Sequence, residues 1–335
     1  MTHWLKLLIG IAVTIAFLWL LVQGLDIEAL GRAFAELSIP FISLALIFLA
    51  TGYAIRIARW WLMLRVLEPS LPFRSCVWPF LTSIAVNNVM PFRAGDALRV
   101  LGFRQQLRTP VVRVLGTLVI ERILDLMVLL GFFFFGLLWL PAGAFPERFV
   151  VGVTWLAGVS IGVVLVLTLL TPWFGRIINL IAAHPFFASR NLSEAVVNHG
   201  NHFVVALGLV RSTSRLFVLL GLSVFSWAFE GAVFATVATA VHATTSPLGP
   251  WFSLGTGTLA TLIPSSPGYV GTFDYFAAKG LEAYGAAPEV SVAFALTVHA
   301  VLWIPLTAAG LAYLILHGTR FWNIKSRLAS AISKE

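Results

Sequence analysis

Pro91-Phe-Arg-Ala-Gly95 and Pro264-Ser-Ser-Pro-Gly268 each end an apolar stretch, at about 75–90 and 250–263, that is too short to cross a bilayer comfortably. Proline removes a backbone hydrogen-bond donor and glycine permits positive φ, so a helix stops at each of these places. Backbone freed in this way persists at membrane depth only where it is buried in protein or lines a water-filled cavity. Each stretch therefore predicts a broken, re-entrant segment beside a cavity.

The rest of the chain is strongly apolar. Its 335 residues are 59% hydrophobic and 11% charged, with a mean hydropathy of +0.93. Soluble domains carry about 25% charged residues, so lipid is the solvent for most of this chain. Six apolar runs are long enough to cross the bilayer, at about 4–22, 40–64, 111–140, 148–171, 214–241 and 289–317. We predict a single all-α, multi-pass membrane domain over residues 1–335, with no separate soluble domain.

Charge and cysteine content exclude several other classes. The net charge of +8 comes from bases that flank the apolar runs, which favours contact with anionic lipid over nucleic-acid binding. The single cysteine, Cys76, allows no intrachain disulfide and no cysteine metal site. The first apolar run has no convincing cleavage site after it, so we predict an uncleaved first span. No cofactor is expected.

The spacing of the two breaks indicates an internal repeat. Pro264 lies 173 positions after Pro91, and Gly268 lies 173 positions after Gly95. The same shift brings the second and third apolar runs close to the fifth and sixth. With three crossings in each half, residues of about 1–145 and 146–320 would form an inverted repeat, as in many transporters.

Lysine and arginine counts predict the orientation. Bases are dense in 65–113, in 172–213 and in a tail at 318–335, whereas 23–38 and 242–288 are poor in them. Because such bases stay on the cytoplasmic side, both termini are predicted in the cytoplasm, and the protein in a cell inner membrane. The first break would then enter from the cytoplasm and the second from outside.

Charges inside the third apolar run form a second signal. Glu121, Arg122 and Asp125 lie on one face of a helix, and an intramembrane charge costs about 2.5–3.5 kcal/mol unless it is compensated. Arg56 and Arg59 share a face of the second run and are the expected counter-ions. The alternative is a salt-bridge network that only locks two helices together.

Further polar residues lie outside these two signals. Glu230 lies 34 residues before Pro264, as Arg56 lies 35 before Pro91, and either binds an ion or headgroup or bonds to a neighbouring hydroxyl. His299 is interpreted as a packing residue. His199 and His202, near Glu194, lack a further ligand for a metal site.

The breaks themselves predict an anion site. A helix that starts inside the membrane points its N-terminal N–H groups and positive dipole end at the cavity. Arg93 and Arg99 would strengthen the first site, and the hydroxyls of Ser265 and Ser266 the second. A lipid phosphate is the expected anion. The alternative is that both breaks are ordinary interfacial turns.

No catalytic motif lies in a structural context in which it could work, so an enzyme is not the expected function. An enzyme is kept as the alternative. Gly158-Val-Ser-Ile-Gly162 fits the G-x-S-x-G pattern, but it lies within an apolar run, where helix packing explains it. The aromatic and basic residues of about 173–190 predict a helix lying at the membrane interface.

Four motifs together resemble a known family. They are Arg56-x-x-Arg59-Trp60, Asn87-Asn-Val-Met-Pro91-Phe-Arg93-Ala-Gly95-Asp96 with Arg99, Glu121-Arg122-x-x-Asp125, and Pro264-Ser-Ser-Pro267-Gly268-Tyr-Val-Gly271. Their order and spacing are similar to the integral membrane region of the bacterial lysylphosphatidylglycerol synthase/flippase family, whose stand-alone relatives include members implicated in hopanoid lipid handling. The resemblance covers nearly the whole chain.

The resemblance implies a flippase fold that moves a phospholipid or related amphiphile between leaflets. The soluble aminoacyl-transferase domain of the full-length synthases is missing from this sequence, so lysine transfer is not expected. Tyr269 and Asp274 stand where the family often has glycine and glutamate, so the resemblance does not give the shape of the pocket or the substrate. The rival function is an integral membrane enzyme acting on a lipid-linked phosphate, as in glycosyl-lipid synthesis.

These arguments give one set of predicted site residues. Substrate binding is predicted for Arg56, Arg59, Arg93, Asp96, Arg99, Glu121, Arg122, Asp125, Glu230, Ser265, Ser266 and Gly268. Helix breaks or hinges are predicted at Pro91, Gly95, Pro264, Pro267 and Gly271. The expected partners are membrane lipids, either a phospholipid or a polyprenyl- or hopanoid-type lipid, and association as a homodimer stays open.

Overall fold

The computed structural model describes residues 3–140, 143–159 and 212–317, with single positions at 162, 197, 200 and 208. Most of these residues are helical, and no strand occurs among them, which confirms the predicted all-α class. The principal helices are α1 (His3–Val22), α2 (Ile27–Ala35), α3 (Ile39–Leu67), α4 (Arg74–Val89), α5 (Val111–Leu137), α6 (Thr213–Ala240), α7 (Gly249–Ala260), α8 (Thr272–Glu282) and α9 (Pro288–His317). A further helical stretch covers residues 147–159.

Three described helices, α3, α6 and α9, are long and apolar enough to cross a membrane. A fourth candidate is formed by α1 and α2 together, which are bent by 90° at residues 23–26. Helix α5 has 27 residues, about 40 Å at 1.5 Å per residue, but carries the predicted charges in its middle. The run at 148–171 is described only in part, so the six full crossings stay a prediction.

Many large apolar side chains lie on the surface of this bundle, while several charged side chains lie inside it. Large side chains such as Trp155, Phe217 and Ile315 are mostly exposed, and arginines and carboxylates are buried among the helices. Aromatic side chains fill the interior between α5 and α7, where the rings of Phe133 and Phe252 stack 5.4 Å apart. This distribution is the one expected of a protein whose surrounding solvent is lipid.

The two halves show the same order of elements. In each, a long helix is followed by a short helix, a break, a short return and another long helix: α3, α4 and α5 in the first, and α6, α7, α8 and α9 in the second. Helix α3 packs against α6, its counterpart in the other half. Helix α4 packs against α9, and α7 packs reciprocally against α5.

The first break lies at Pro91, as the sequence predicts. Residues Pro91–Arg93 form a 3₁₀ turn, Arg93 has a φ of 52°, and the chain then folds back along α4. Gly95 makes this return possible, because a Cβ there would lie 1.9 Å from the carbonyl oxygen of Ser83. The side-chain oxygen of Asn87 accepts hydrogen bonds from the N–H groups of Gly95 and Asp96, at 2.8 and 3.3 Å.

The second break separates two antiparallel helices, α7 and α8. Ser253 Oγ donates to the carbonyl of Ala277 at 2.6 Å, and Thr256 Oγ1 donates to that of Phe276 at 2.8 Å. These short contacts hold the hairpin together at its middle. At its tip, Gly268 has a φ of 76°.

The two tips meet inside the molecule. Residues Pro267–Tyr269 of the second tip pack against α4, which leads into the first. A Cβ at Gly268 would lie 3.3 Å from the carbonyl oxygen of Asn88 and 2.9 Å from Nε1 of Trp303 on α9. Both breaks therefore border the same interior space, which agrees with the predicted setting beside a cavity.

Candidate functional site

A cavity of about 210 Å³ lies between the two tips. Helices α3, α4, α5, α6, α7 and α9 all contribute to its wall, together with residues of both breaks. Its charged lining residues are Arg56, Arg93, Glu121, Arg122, Asp125 and Glu230. All six belong to the predicted substrate-binding set, so the fold brings together residues that are up to 174 positions apart.

Arg59 and Asp125 form the tightest of three buried arginine–carboxylate pairs among the described residues. The guanidinium binds both carboxylate oxygens, at 2.5 and 3.1 Å, and also donates to the hydroxyl of Ser223 on α6. Trp227 Nε1 donates to the same carboxylate at 3.1 Å. Because Arg59 is completely buried, an unpaired charge here would be very costly. This pair confirms the expectation that Arg59 compensates the charges of α5.

Arg56 has a different partner from the one expected. It binds Glu230 on α6 at 2.7 Å, not a carboxylate of α5, because its side of α3 faces α6. Its guanidinium also lies 4.2 Å from the ring centroid of Trp227 and 5.0 Å from that of Tyr53. The pairing joins two residues that occupy matching positions ahead of the two breaks.

The remaining charges of α5 are bound by the chain that follows the first break. Arg99 makes two hydrogen bonds to Glu121, at 2.9 and 3.3 Å, and its guanidinium lies 3.7 Å from the ring centroid of Trp60. Arg122 contacts both oxygens of Asp96 at 3.2 Å. These pairs fix the returning chain against α5 and shape the wall of the cavity.

Several donors in the cavity wall remain without a partner. Nε and Nη2 of Arg56 and Nε1 of Trp303 are buried and make no hydrogen bond to the described residues. Arg93 lies exposed at the tip of the first break, and no ion pair to it occurs within the described ranges. Unfilled donors and a free cation around one space are the groups that bind an anion.

Residues of the second break divide between two surroundings. Gly268 lines the cavity, as do the hydroxyl-bearing residues Thr258 and Thr261 of the same hairpin. The backbone of Ser265 and Ser266 instead contacts α1: the Ser266 N–H donates to Thr14 Oγ1 at 3.1 Å, and the Ser265 carbonyl would lie 3.1 Å from a Cβ at Gly10. The hydroxyl of Ser265 accepts a hydrogen bond from Thr272 Oγ1 on α8 at 3.1 Å. Neither serine is among the lining residues, and their role in binding stays a prediction.

The three remaining residues of that break shape its backbone. Pro264 is exposed, and Pro267 begins the 3₁₀ turn that carries Gly268. Gly271, with a φ of 85°, packs against α1, where a Cβ would lie 2.8 Å from the carbonyl oxygen of Thr14. The predicted break is therefore held on one side by α1 and opens toward the cavity on the other.

The structure also places a histidine–carboxylate pair at the cavity, which sequence reasoning missed. His299 Nδ1 lies 2.7 Å from Oδ1 of Asp274, and His299 is a lining residue. The other oxygen of Asp274 accepts the N–H of Gly271 at 2.9 Å. The spacing of Gly271 and Asp274 is typical of a helix N-terminus, but the contact with α9 depends on tertiary packing.

The family-model comparison gives the same assignment as the motifs and their arrangement. A model described as "Lysylphosphatidylglycerol synthase TM region" matches residues 7–310. The chain belongs to this family. No curated protein matches it. As a member of the lysylphosphatidylglycerol synthase transmembrane family, the protein is a membrane protein of lipid metabolism or transport.

Some predicted features of this family member lie outside the described residues. They are Glu194, His199 and His202, the interface helix of about 173–190, Ser160, and the basic tail at 318–335. Within the described ranges, no group of three histidine, cysteine, aspartate or glutamate side chains is arranged to hold a metal ion.

Proposed function

We propose that the protein is a flippase that moves an anionic phospholipid, or a related amphiphile with an anionic headgroup, between the leaflets of a bacterial inner membrane. Family membership supports a role with lipids. The observation that carries the proposal is the cavity between the two breaks, where ion pairs lie beside Arg93, Arg56 and Trp303. Among the described residues, Arg93 has no ion-pair partner, and donors of Arg56 and Trp303 have no acceptor.

The size of the cavity suggests how a lipid would bind. Its volume of about 210 Å³ is below the roughly 300–1,000 Å³ of sites that enclose a drug-sized ligand. A headgroup would therefore enter, with its phosphate near Arg93 and the tip at Gly268, while the acyl chains stay in lipid. Arg56, Arg59, Arg99 and Arg122 would hold the positive wall, and Asp96, Glu121, Asp125 and Glu230 would balance it.

An inverted repeat would supply the motion. We propose that the two halves are related by a two-fold axis in the membrane plane, with both termini in the cytoplasm. The matching element order and the reciprocal packing of α4 on α9 and of α7 on α5 support this arrangement. Rocking of one half against the other would open the shared cavity to each leaflet in turn.

Transfer of labelled lipids in proteoliposomes tests the proposal. Purified protein is reconstituted with fluorescent analogues of several headgroups, and reduction of the outer-leaflet dye reports how much lipid has crossed. We expect protein-dependent transfer of anionic analogues, and a loss of most of that transfer in Arg93→Gln. Transfer equal to that of protein-free vesicles for every headgroup would contradict the proposal.

Arg108 provides a matched control for this variant. It lies in the same linker, is exposed, and has the same φ of 52°, but it does not line the cavity. Arg108→Gln removes the same charge with the same local backbone strain, so it should transfer lipid like the parent protein. If both variants lose transfer equally, the effect belongs to the linker or its net charge and not to the cavity.

The pair of Asp274 and His299 is the observation that favours the rival function. A carboxylate that orients an imidazole at a cavity is the arrangement of a general base, so an enzyme acting on a lipid-linked phosphate would use His299 for proton transfer. Such an enzyme forms product in detergent, where a flippase has nothing to move. Donor-dependent product detected by mass spectrometry, and absent in His299→Gln, would establish it in place of the flippase.

A further inference from the structure

His299 is held so that one ring nitrogen is occupied and the other is not. Its Nδ1 lies 2.7 Å from Asp274 Oδ1, which fixes the proton on Nδ1 when the ring is neutral. No described residue is hydrogen-bonded to Nε2, on a ring that borders the cavity. The ring of Phe273, with its centroid 5.1 Å away, packs against the imidazole and restricts its orientation. His299 is thus poised to take up a second proton.

The charged side chains that share the cavity with His299 are otherwise in ion pairs, with the exception of Arg93. Asp274, on α8, is its only ion-pair partner among the described residues and is completely buried. The ionisable groups that share the cavity with it are Tyr53 and Arg56 on α3, Arg93 at the first break, Glu121, Arg122 and Asp125 on α5, Glu230 on α6 and Tyr269 at the second break. The histidine's own helix bears Glu289, Tyr313 and His317 only toward its ends.

The arginines and carboxylates of the cavity and its ion pairs balance one another when His299 is neutral. Five guanidiniums belong to the cavity and its ion pairs: Arg56, Arg59, Arg93, Arg99 and Arg122. Five carboxylates face them: Asp96, Glu121, Asp125, Glu230 and Asp274. With His299 neutral the site is therefore neutral, and a singly charged phosphodiester would give it a net negative charge. Excess charge in a cavity within the membrane is costly, and protonation of His299 would restore the balance.

We infer that His299 binds one proton together with the anionic headgroup, so that lipid transfer by this protein is coupled to protons. This inference rests on the proposed function. By linkage, a proton that strengthens headgroup binding is itself held more tightly once the headgroup is bound. The same carboxylate that orients His299 also holds the N–H of Gly271, so the proton site is joined directly to the tip of the second break.

Proton uptake on binding is the direct test. Phosphatidylglycerol, which carries one phosphodiester charge, is titrated into the purified protein in weakly buffered detergent while pH and tryptophan fluorescence are followed. We expect uptake of up to one proton per lipid bound, and binding that weakens as the pH is raised, by up to about tenfold per pH unit where one proton is linked to binding. Binding without proton uptake, or no saturable binding, would overturn the inference.

Two variants and one control assign the proton. His299→Gln removes the titrating ring, so any residual binding should occur without uptake at every pH. Asp274→Asn leaves the site with one excess positive charge, so it should bind the lipid without uptake and with little dependence on pH. His317→Gln, in the same helix but outside the cavity, should behave like the parent protein. If proton uptake persists in His299→Gln, a group other than His299 binds the proton, and the assignment is refuted.

A second ligand separates a lipid from its free headgroup. Glycerophosphoglycerol has the same single charge without acyl chains, and we expect much weaker binding, because only the headgroup contacts remain. Equal affinity and equal uptake would keep the proton–anion linkage but overturn a lipid as the ligand. Measurements in proteoliposomes distinguish the two claims. Lipid transfer whose rate does not depend on a pH gradient would refute proton coupling but not flippase activity. Proton-linked binding without lipid transfer would refute flippase activity.

Discussion

The pair of Arg56 and Glu230 joins the two halves across the cavity, and its removal in steps separates a structural role from a binding role. Both residues are buried, at 7% and 8% exposure, and their charged atoms lie 2.7 Å apart. Arg56→Gln leaves Glu230 as an uncompensated buried carboxylate, and Glu230→Gln leaves the arginine unpaired. The double variant leaves neither charge behind.

Breaking a buried pair from one side costs about 3–5 kcal/mol. We expect the lower end, about 3 kcal/mol for each single variant, because the cavity beside the pair gives water some access to the remaining charge. The double variant should lose about as much as one single variant, since the arginine contacts with Trp227 and Tyr53 are lost but no charge is stranded. The two single effects then fail to add by about 3 kcal/mol.

Reversible unfolding in mixed micelles measures these differences through tryptophan fluorescence and far-UV circular dichroism. Arg32→Gln on the exposed face of α2 is the control and should change stability by no more than about 0.5 kcal/mol. Single variants as stable as the parent would refute the reasoning about the pair. Lipid transfer by the double variant separates the two roles. We expect no transfer, because the donors of Arg56 are gone. Restored transfer would mean that the pair only stabilises the packing of the helices.

Three further changes test particular contacts. Gly95→Ala should prevent stable folding, because its Cβ would overlap the backbone of α4. The control Gly131→Ala, which lies in open space on α5, should stabilise the protein by about 0.5–1 kcal/mol. The yield of folded protein and the midpoint of unfolding measure both effects. Trp303→Phe should keep or slightly raise stability, because it removes an unsatisfied buried N–H, yet weaken lipid binding, and unchanged affinity would remove this donor from the site. Arg99→Lys should destabilise by about 2–3 kcal/mol despite its retained charge, because it loses the two-point contact with its carboxylate and the stacking on Trp60; a change below about 0.5 kcal/mol would contradict this.

The features that could be predicted from the sequence depend on local chemistry. The breaks follow from the missing N–H of Pro91 and from the freedom of glycine, and both lie where expected. The charged face of α5 follows from helical periodicity. The demand that Asp125 be compensated follows from the cost of a bare charge in lipid, and Arg59 meets it.

What could not be predicted depends on which helix faces which. Arg56 and Arg59 are three residues apart on α3, yet α6 takes one and α5 the other. No one-dimensional pattern distinguishes these two partners, because both helices carry a carboxylate in mid-span. The same limit applies to Ser265, whose polar side chain suggests a site but accepts a hydrogen bond from Thr272 Oγ1 on α8, while its carbonyl lies beside Gly10 of α1. Asp274 and His299 meet only because α8 folds back beside α9.

The ion pairs of the cavity can both stabilise the packing of the helices and take part in binding. Three of the four charge pairs lie within the first half of the chain, and Arg56 with Glu230 is the one that joins α3 to α6. Rocking of the halves would stretch this link, together with the hydrogen bonds from Arg59 to Ser223 and from Trp227 to Asp125. An anion beside Arg56 would compensate the guanidinium as the link opens, and the proton on His299 would balance the charge that the anion brings. The contacts between α3 and α6 would then make the separation of the halves depend on the headgroup.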